Sequence, residues 1–121
     1  MGLKILIVDD EADLVETCIR VLSRRGYTCL RAYAGREGLA LIDEERPNIV
    51  LTDLSLPDLD GFTILRHARA QSPSIPGILM TAYNSPGTSE RASEAGARAC
   101  LAKPFSNSAL LEAIEGASTD R

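Results

Sequence analysis

Tryptophan is absent from this 121-residue chain, aromatic residues make up only 4% of it, and histidine occurs once, at His67. A lone histidine with no cysteine or second histidine near it in sequence is expected on a solvated helix face, not at a metal. Cysteine is scarce and odd in number: Cys18, Cys29 and Cys100 form no CxxC pair and no Cys/His cluster, which argues against a disulfide framework or a zinc site. They read as small apolar residues in a reducing cytosol. Long apolar runs are also missing. The first run, Ile5–Val8, stops at Asp9 and Asp10, too short for a signal peptide or a membrane span, so a soluble cytoplasmic protein is expected. Excess positive charge is missing as well. The net charge is −4 and the 13 basic residues are scattered, so this domain is not expected to bind nucleic acid directly.

What remains is ordinary globular composition, 45% hydrophobic and 25% charged, in a length suited to a single core. One domain over 1–121 is expected, with the polar end Gly116–Arg121 as a tail or linker stub. Four short apolar runs, Ile5–Val8, Ile49–Thr52, Gly77–Thr81 and Ala99–Ala102, and a weaker one at Tyr27–Ala32, are nearly continuous. Such runs suit strands covered on both faces. Helical spacing fills the gaps. Leu14, Val15, Cys18, Ile19 and Leu22 form a stripe stopped at Gly26; Leu39, Ala40 and Ile42 belong to a second helix ending before Pro47. Asp60 caps a third, running towards Gln71; Ser85-Pro86 starts a fourth; Ser106 caps a fifth carrying Leu110, Leu111 and Ile114. Five β-α units predict a parallel sheet with helices on both faces. The fourth helix is thin: from Asn84 to Cys100 there is no large apolar residue, only Ala92 and Ala95 to bury. A short, mobile or displaced helix is expected there.

The strand ends collect the chemistry. The first ends in Asp9-Asp10, the third in Asp53, the fourth in Thr81 and the fifth in Lys103-Pro104. In a parallel sheet these are carboxyl ends on one edge, where open α/β sheets bind ligands. Carboxylates gathered within ~4 Å repel by several kcal/mol per pair in a partly buried setting, so they require a cation. Hard oxygen donors suit Mg²⁺ or Mn²⁺, and Lys103 supplies further positive charge. A metal, a lysine and a hydroxyl around one carboxylate are the parts that phosphoryl transfer requires, with aspartate as nucleophile. Singly, each residue has a plainer reading: Asp9 and Asp10 cap the first helix, Asp53 opens a turn before Pro57, Thr81 is a strand residue, Lys103 a solvated strand end. Their joint placement points to chemistry.

The segments Ile5-Leu6-Ile7-Val8-Asp9-Asp10-Glu11, Asp53-Leu54-Ser55-Leu56-Pro57-Asp58-Leu59-Asp60-Gly61-Phe62, Thr81-Ala82-Tyr83 and Lys103-Pro104-Phe105 resemble response-regulator receiver domains, in the same order and over essentially the whole chain. The resemblance implies a flavodoxin-like (βα)5 fold, a three-layer α/β architecture with sheet order 2-1-3-4-5. It implies that Asp53 is the phosphoacceptor, that Asp10 and Asp53 ligate Mg²⁺ (or Mn²⁺) with the Ser55 backbone carbonyl, and that Asp9 acts through metal-bound water. Thr81 would be the switch hydroxyl, the Ala82 N–H would serve a phosphoryl oxygen, Lys103 would pair with Asp53, and the Lys103–Pro104 bond would be cis. The implied partners are a histidine kinase or histidine phosphotransfer protein as donor and an output domain or effector protein, with a homodimer on phosphorylation as a further option. Such a domain catalyses only its own phosphorylation and dephosphorylation. One departure stands out: Cys100 occupies the place of the family's usual switch aromatic. Three other readings stay open at this point. A Mg²⁺-dependent aspartate phosphatase commonly has a second acid where Ser55 stands. A flavodoxin-type binding module wants a phosphate loop where Asp9-Asp10-Glu11 stands. A pseudo-receiver would serve only as an interaction surface.

Overall fold

The computed structural model describes residues 2–83 and 85–119. These form β1 (Lys4–Val8), α1 (Ala12–Ser23), β2 (Thr28–Ala32), α2 (Gly35–Glu45), β3 (Ile49–Asp53), α3 (Gly61–Arg69), β4 (Gly77–Thr81), α4 (Pro86–Ala95), β5 (Ala97–Ala102) and α5 (Asn107–Thr119). The sheet is parallel throughout, in the order β2-β1-β3-β4-β5. This is the flavodoxin-like order that the resemblance implied.

Strand side chains alternate between the two faces, so a run that is apolar at every position feeds two cores at once. Ile5 and Ile7 join Ile49, Leu51, Ile78 and Met80 on one face, covered by Val15, Cys18 and Leu22 of α1 and Leu110 and Ile114 of α5. Leu6, Val8 and Val50 point the other way, onto Ile42 of α2 and Ile64 and Ala68 of α3. Farther along that face Leu79 meets Phe62 and Leu65 of α3 and Ala92 and Ala95 of α4. Each buried Ile or Leu contributes about 1.5–3 kcal/mol, which makes the three central strands the rigid part of the molecule. The edge strands β2 and β5 are only partly buried.

Helices α3 and α4 start at side chains that cap them. Asp60 accepts from Thr63 N at 2.9 Å, and Ser85 accepts from Thr88 N at 3.2 Å ahead of Pro86. Helix α2 is different, since its N-cap Ala34 has no side chain for the task. Asp58, from the β3–α3 loop, instead accepts from Gly35 N at 2.7 Å and Arg36 N at 2.9 Å. Those two bonds hold the Asp58 carboxyl below the usual carboxylate range.

Two expectations need correcting. Helix α4 is neither short nor displaced: it runs for 10 residues and packs against α3 and β5. It does bury only two alanines, each worth under about 1 kcal/mol per methyl group. Polar contacts add to that packing. The Arg91 guanidinium lies 4.4 Å from the centroid of the Phe62 ring, Arg69 donates to the Glu94 carbonyl at 2.5 Å, and Gly96 closes the helix at φ 113°, a conformation natural only to glycine. Helix α5 also continues through Gly116 to Thr119 with Ala117 buried, so the polar end is helical that far. Residues 120–121 lie outside the described residues.

Gly61 marks the tightest approach to the site. A Cβ there would lie 2.3 Å from the Asp53 carbonyl oxygen, whereas one at Gly116 meets nothing within 4 Å. Chemical denaturation should therefore show opposite signs: Gly61→Ala destabilising by about 1–3 kcal/mol and Gly116→Ala stabilising by about 0.5–1 kcal/mol. Equal effects from the two would contradict this packing.

Candidate functional site

Parallel pairing brings the carboxyl ends of β1, β3, β4 and β5 to one edge. Asp9 follows β1 and is fully buried; Asp10 beside it is exposed; Asp53 ends β3 and is 8% exposed. Each of the three offers a carboxylate oxygen within 4.8 Å of the others'. Among the described residues this is the one group of acids, cysteines or histidines so arranged. Opposite them stands Lys103, anchored by its backbone N–H to the Thr81 carbonyl at 2.9 Å and followed by a cis bond to Pro104. Its ammonium lies 2.8 Å from Asp9 Oδ2, 2.8 Å from Glu11 Oε1 and 3.1 Å from Asp53 Oδ1.

The electrostatics follow from this crowding. Burial pushes the Asp53 carboxyl above its ordinary pKa and the negative charge of Asp9 adds to the effect, while Lys103 pulls the other way without cancelling it. Burial disfavours the Lys103 charge too, but hydrogen bonds from Asp9 and Glu11 and the charges of Asp9 and Asp53 outweigh it and raise its pKa. The ammonium is thus fixed in its charged form beside a carboxylate that is under electrostatic pressure. Three carboxylate oxygens within 4.8 Å of one another, with Asp10 exposed to solvent, are a donor set that suits a small divalent metal.

The remaining predicted residues lie around this centre. Thr81 is buried, and its Oγ1 accepts from Tyr83 N at 2.9 Å. Ala82 is exposed on the rim beside Lys103 and Pro104. Ser55 is exposed in the β3–α3 loop, where it forms a bridge with Asp60, and Gly61 N donates to the Leu54 carbonyl at 2.7 Å. Cys100 is away from this centre, half-buried between β5 and α4 against the Phe62–Leu79 cluster, and burial raises its thiol pKa. Glu11, the third consecutive acid after β1, is a further partner of Lys103 to which sequence pattern alone gives no role.

A family model described as the response regulator receiver domain matches residues 5–115. The chain belongs to that family. It is 34% identical over 115 residues to sporulation initiation phosphotransferase F of Bacillus subtilis, covering 95% of this chain and 93% of that protein. It is 38% identical over 111 residues to response regulator MprA of Mycolicibacterium vanbaalenii, covering 92% of this chain but 48% of that protein. Receiver domains thus stand both nearly alone and as the smaller part of longer regulators among these relatives. A CheY-like response regulator receiver domain protein from Methanospirillum hungatei superimposes with a TM-score of 0.92 at 34% identity, covering 99% of this chain and 96% of that one. Chemotaxis response regulator CheY4 of Vibrio cholerae does so at 0.88 and 29%, covering 95% and 98%. This receiver domain is a signalling module of two-component response regulators.

A raised carboxyl pKa means that ionising Asp53 is less favourable in the folded than in the unfolded chain. Its cost to stability is therefore absent below the ordinary aspartate pKa, grows as pH rises from there, and is complete above the folded value. In metal-free buffer, Asp53→Asn should be more stable than wild type at neutral pH, with the gain shrinking as pH falls and absent below about pH 4, near the ordinary aspartate pKa. A less stable Asp53→Asn at neutral pH in denaturant titrations would contradict the electrostatic account.

Proposed function

We propose that Asp53 accepts a phosphoryl group from a phosphohistidine on a histidine kinase or histidine phosphotransfer protein. The observation that carries this reading is the buried Asp53 carboxylate, 3.1 Å from the Lys103 ammonium, within a carboxylate cluster at the carboxyl edge of the sheet. An Asp53 oxygen attacks phosphorus, the O–P bond forms, the P–N bond breaks, and the imidazole nitrogen keeps the electron pair. Asp10, Asp53 and the Ser55 carbonyl would hold Mg²⁺ (or Mn²⁺), with Asp9 acting through water. When bound, the metal neutralises charge on the phosphoryl oxygens. Lys103 neutralises a further oxygen, the Ala82 N–H serves another, and Thr81 supplies a hydroxyl.

Thr81 links chemistry to signalling. Its hydroxyl oxygen accepts from Tyr83 N, tying down the start of the β4–α4 loop. A hydroxyl that swings to a phosphoryl oxygen abandons that bond, and the loop entering the thinly packed α4 is then free to rearrange. The domain thereby shifts between two conformations and controls an output domain or effector protein. With Cys100 in place of an inward-turning ring, the rearrangement is carried by the loop and α4. The setting is the cytoplasm. No described helix is long and apolar enough to cross a membrane.

The test uses acetyl phosphate as a small donor. With Mg²⁺ the chain should gain a single phosphoryl group that hydroxylamine removes; chelation or Asp53→Asn should abolish the gain. Undiminished labelling of Asp53→Asn would sink the assignment. No labelling of wild type at all would favour the interaction module.

A further inference from the structure

An ammonium has three N–H donors. At Lys103 three carboxylates stand around them: Asp9 at 2.8 Å, Glu11 at 2.8 Å and Asp53 at 3.1 Å. A phosphoryl group arriving at Asp53 brings oxygens that need the same ammonium, so an existing contact must be given up. Asp9 is an unfavourable one to lose. Its side chain is fully buried, so a lost lysine contact could not be replaced by bulk water. Asp53 itself carries the incoming group. Glu11 is the third, and its side chain is 64% exposed, so water can replace the lysine at little cost. It also lies with Lys103 in an open groove of 340 Å³ lined by Leu14, Ala82, Pro104 and Phe105, which leaves it room to turn outward.

We infer that Glu11 is a positioning residue acting through Lys103: it draws the ammonium towards the solvent side while Asp53 is free, and it is the contact surrendered when a phosphoryl oxygen arrives. Glu11 thus sets how readily the lysine reaches the reacting group, and this rests on Asp53 being the phosphoacceptor. The Glu11 side chain makes no capping bond to α1, and its backbone N–H, which donates to Asp9 Oδ1 at 2.9 Å, survives substitution. Side-chain variants therefore leave the local backbone intact.

Phosphorylation by acetyl phosphate with Mg²⁺ should be about two- to fivefold faster in Glu11→Gln and Glu11→Ala, the range expected for release of an exposed ion pair. Asp13→Asn removes a nearby exposed acid in the first turn of α1 and should leave the rate unchanged. In a Lys103→Met background the Glu11 effect should vanish, because a residue acting through Lys103 has nothing left to act on. A Glu11 variant no faster than wild type, an equal gain from Asp13→Asn, or a gain that persists without Lys103 would each overturn the inference. A second readout needs no phosphoryl transfer: the Lys103 side-chain nitrogen resonance should shift in Glu11→Gln. An unmoved resonance overturns the Glu11 contact even if wild type phosphorylates normally. A moved one in a wild type that takes no phosphate upholds the contact and overturns the phosphoacceptor reading with the rate effect that depends on it.

Discussion

One cation held among carboxylates organises this molecule. The Lys103 ammonium neutralises a fully buried Asp9 and a nearly buried Asp53 that would otherwise repel each other. These groups lie far apart in sequence and meet only because β1, β3 and β5 are parallel strands of one sheet, with their carboxyl ends aligned. The apolar strands supply the rigidity. Side chains on both faces of β1, β3 and β4 are locked into three apolar clusters, so the charges at their ends have little freedom to relax apart.

Beside that rigid centre lies a helix held differently. Helix α4 buries two alanines, and its docking draws on the Arg91–Phe62 contact and the Arg69 hydrogen bond. Its leading loop is fastened to the site by the bond from Tyr83 N to the Thr81 hydroxyl oxygen. Contacts of this kind are individually weak, so a small change of partner at Thr81 competes with them on equal terms. Phe62 follows Gly61, which packs against the Asp53 backbone, so the aromatic platform under Arg91 is itself placed by the β3–α3 loop.

Much of this was legible in the residues. Each central strand is a short, uninterrupted apolar run ending in a polar residue, which marks its identity and the edge to which its end belongs. The order of strands came from family resemblance rather than from periodicity. The start of β5 was hidden because Ala97 and Arg98 extend no apolar run and the β4–β5 register shifts at that point. The cap on α2 was hidden because Asp58 is 23 residues away in sequence. Glu11 is illegible in sequence because a third acid after two others reads as a helix start, and only the position of Lys103 gives it another partner. The docking of the fourth helix is hard to read in sequence because, beyond Ala92 and Ala95, it draws on Arg91 and Arg69, whose value depends on where Phe62 and the Glu94 carbonyl lie.

On the proposed function Asp53 is the reactive carboxylate, and the neighbouring Asp9 and Asp10 support it without taking the phosphoryl group themselves. Borohydride reduction of the phosphorylated chain converts an aspartyl phosphate to homoserine, which peptide sequencing then locates. Homoserine at position 53 alone is the predicted result; homoserine at position 9 or 10, or none in a chain shown to carry phosphate, would contradict it.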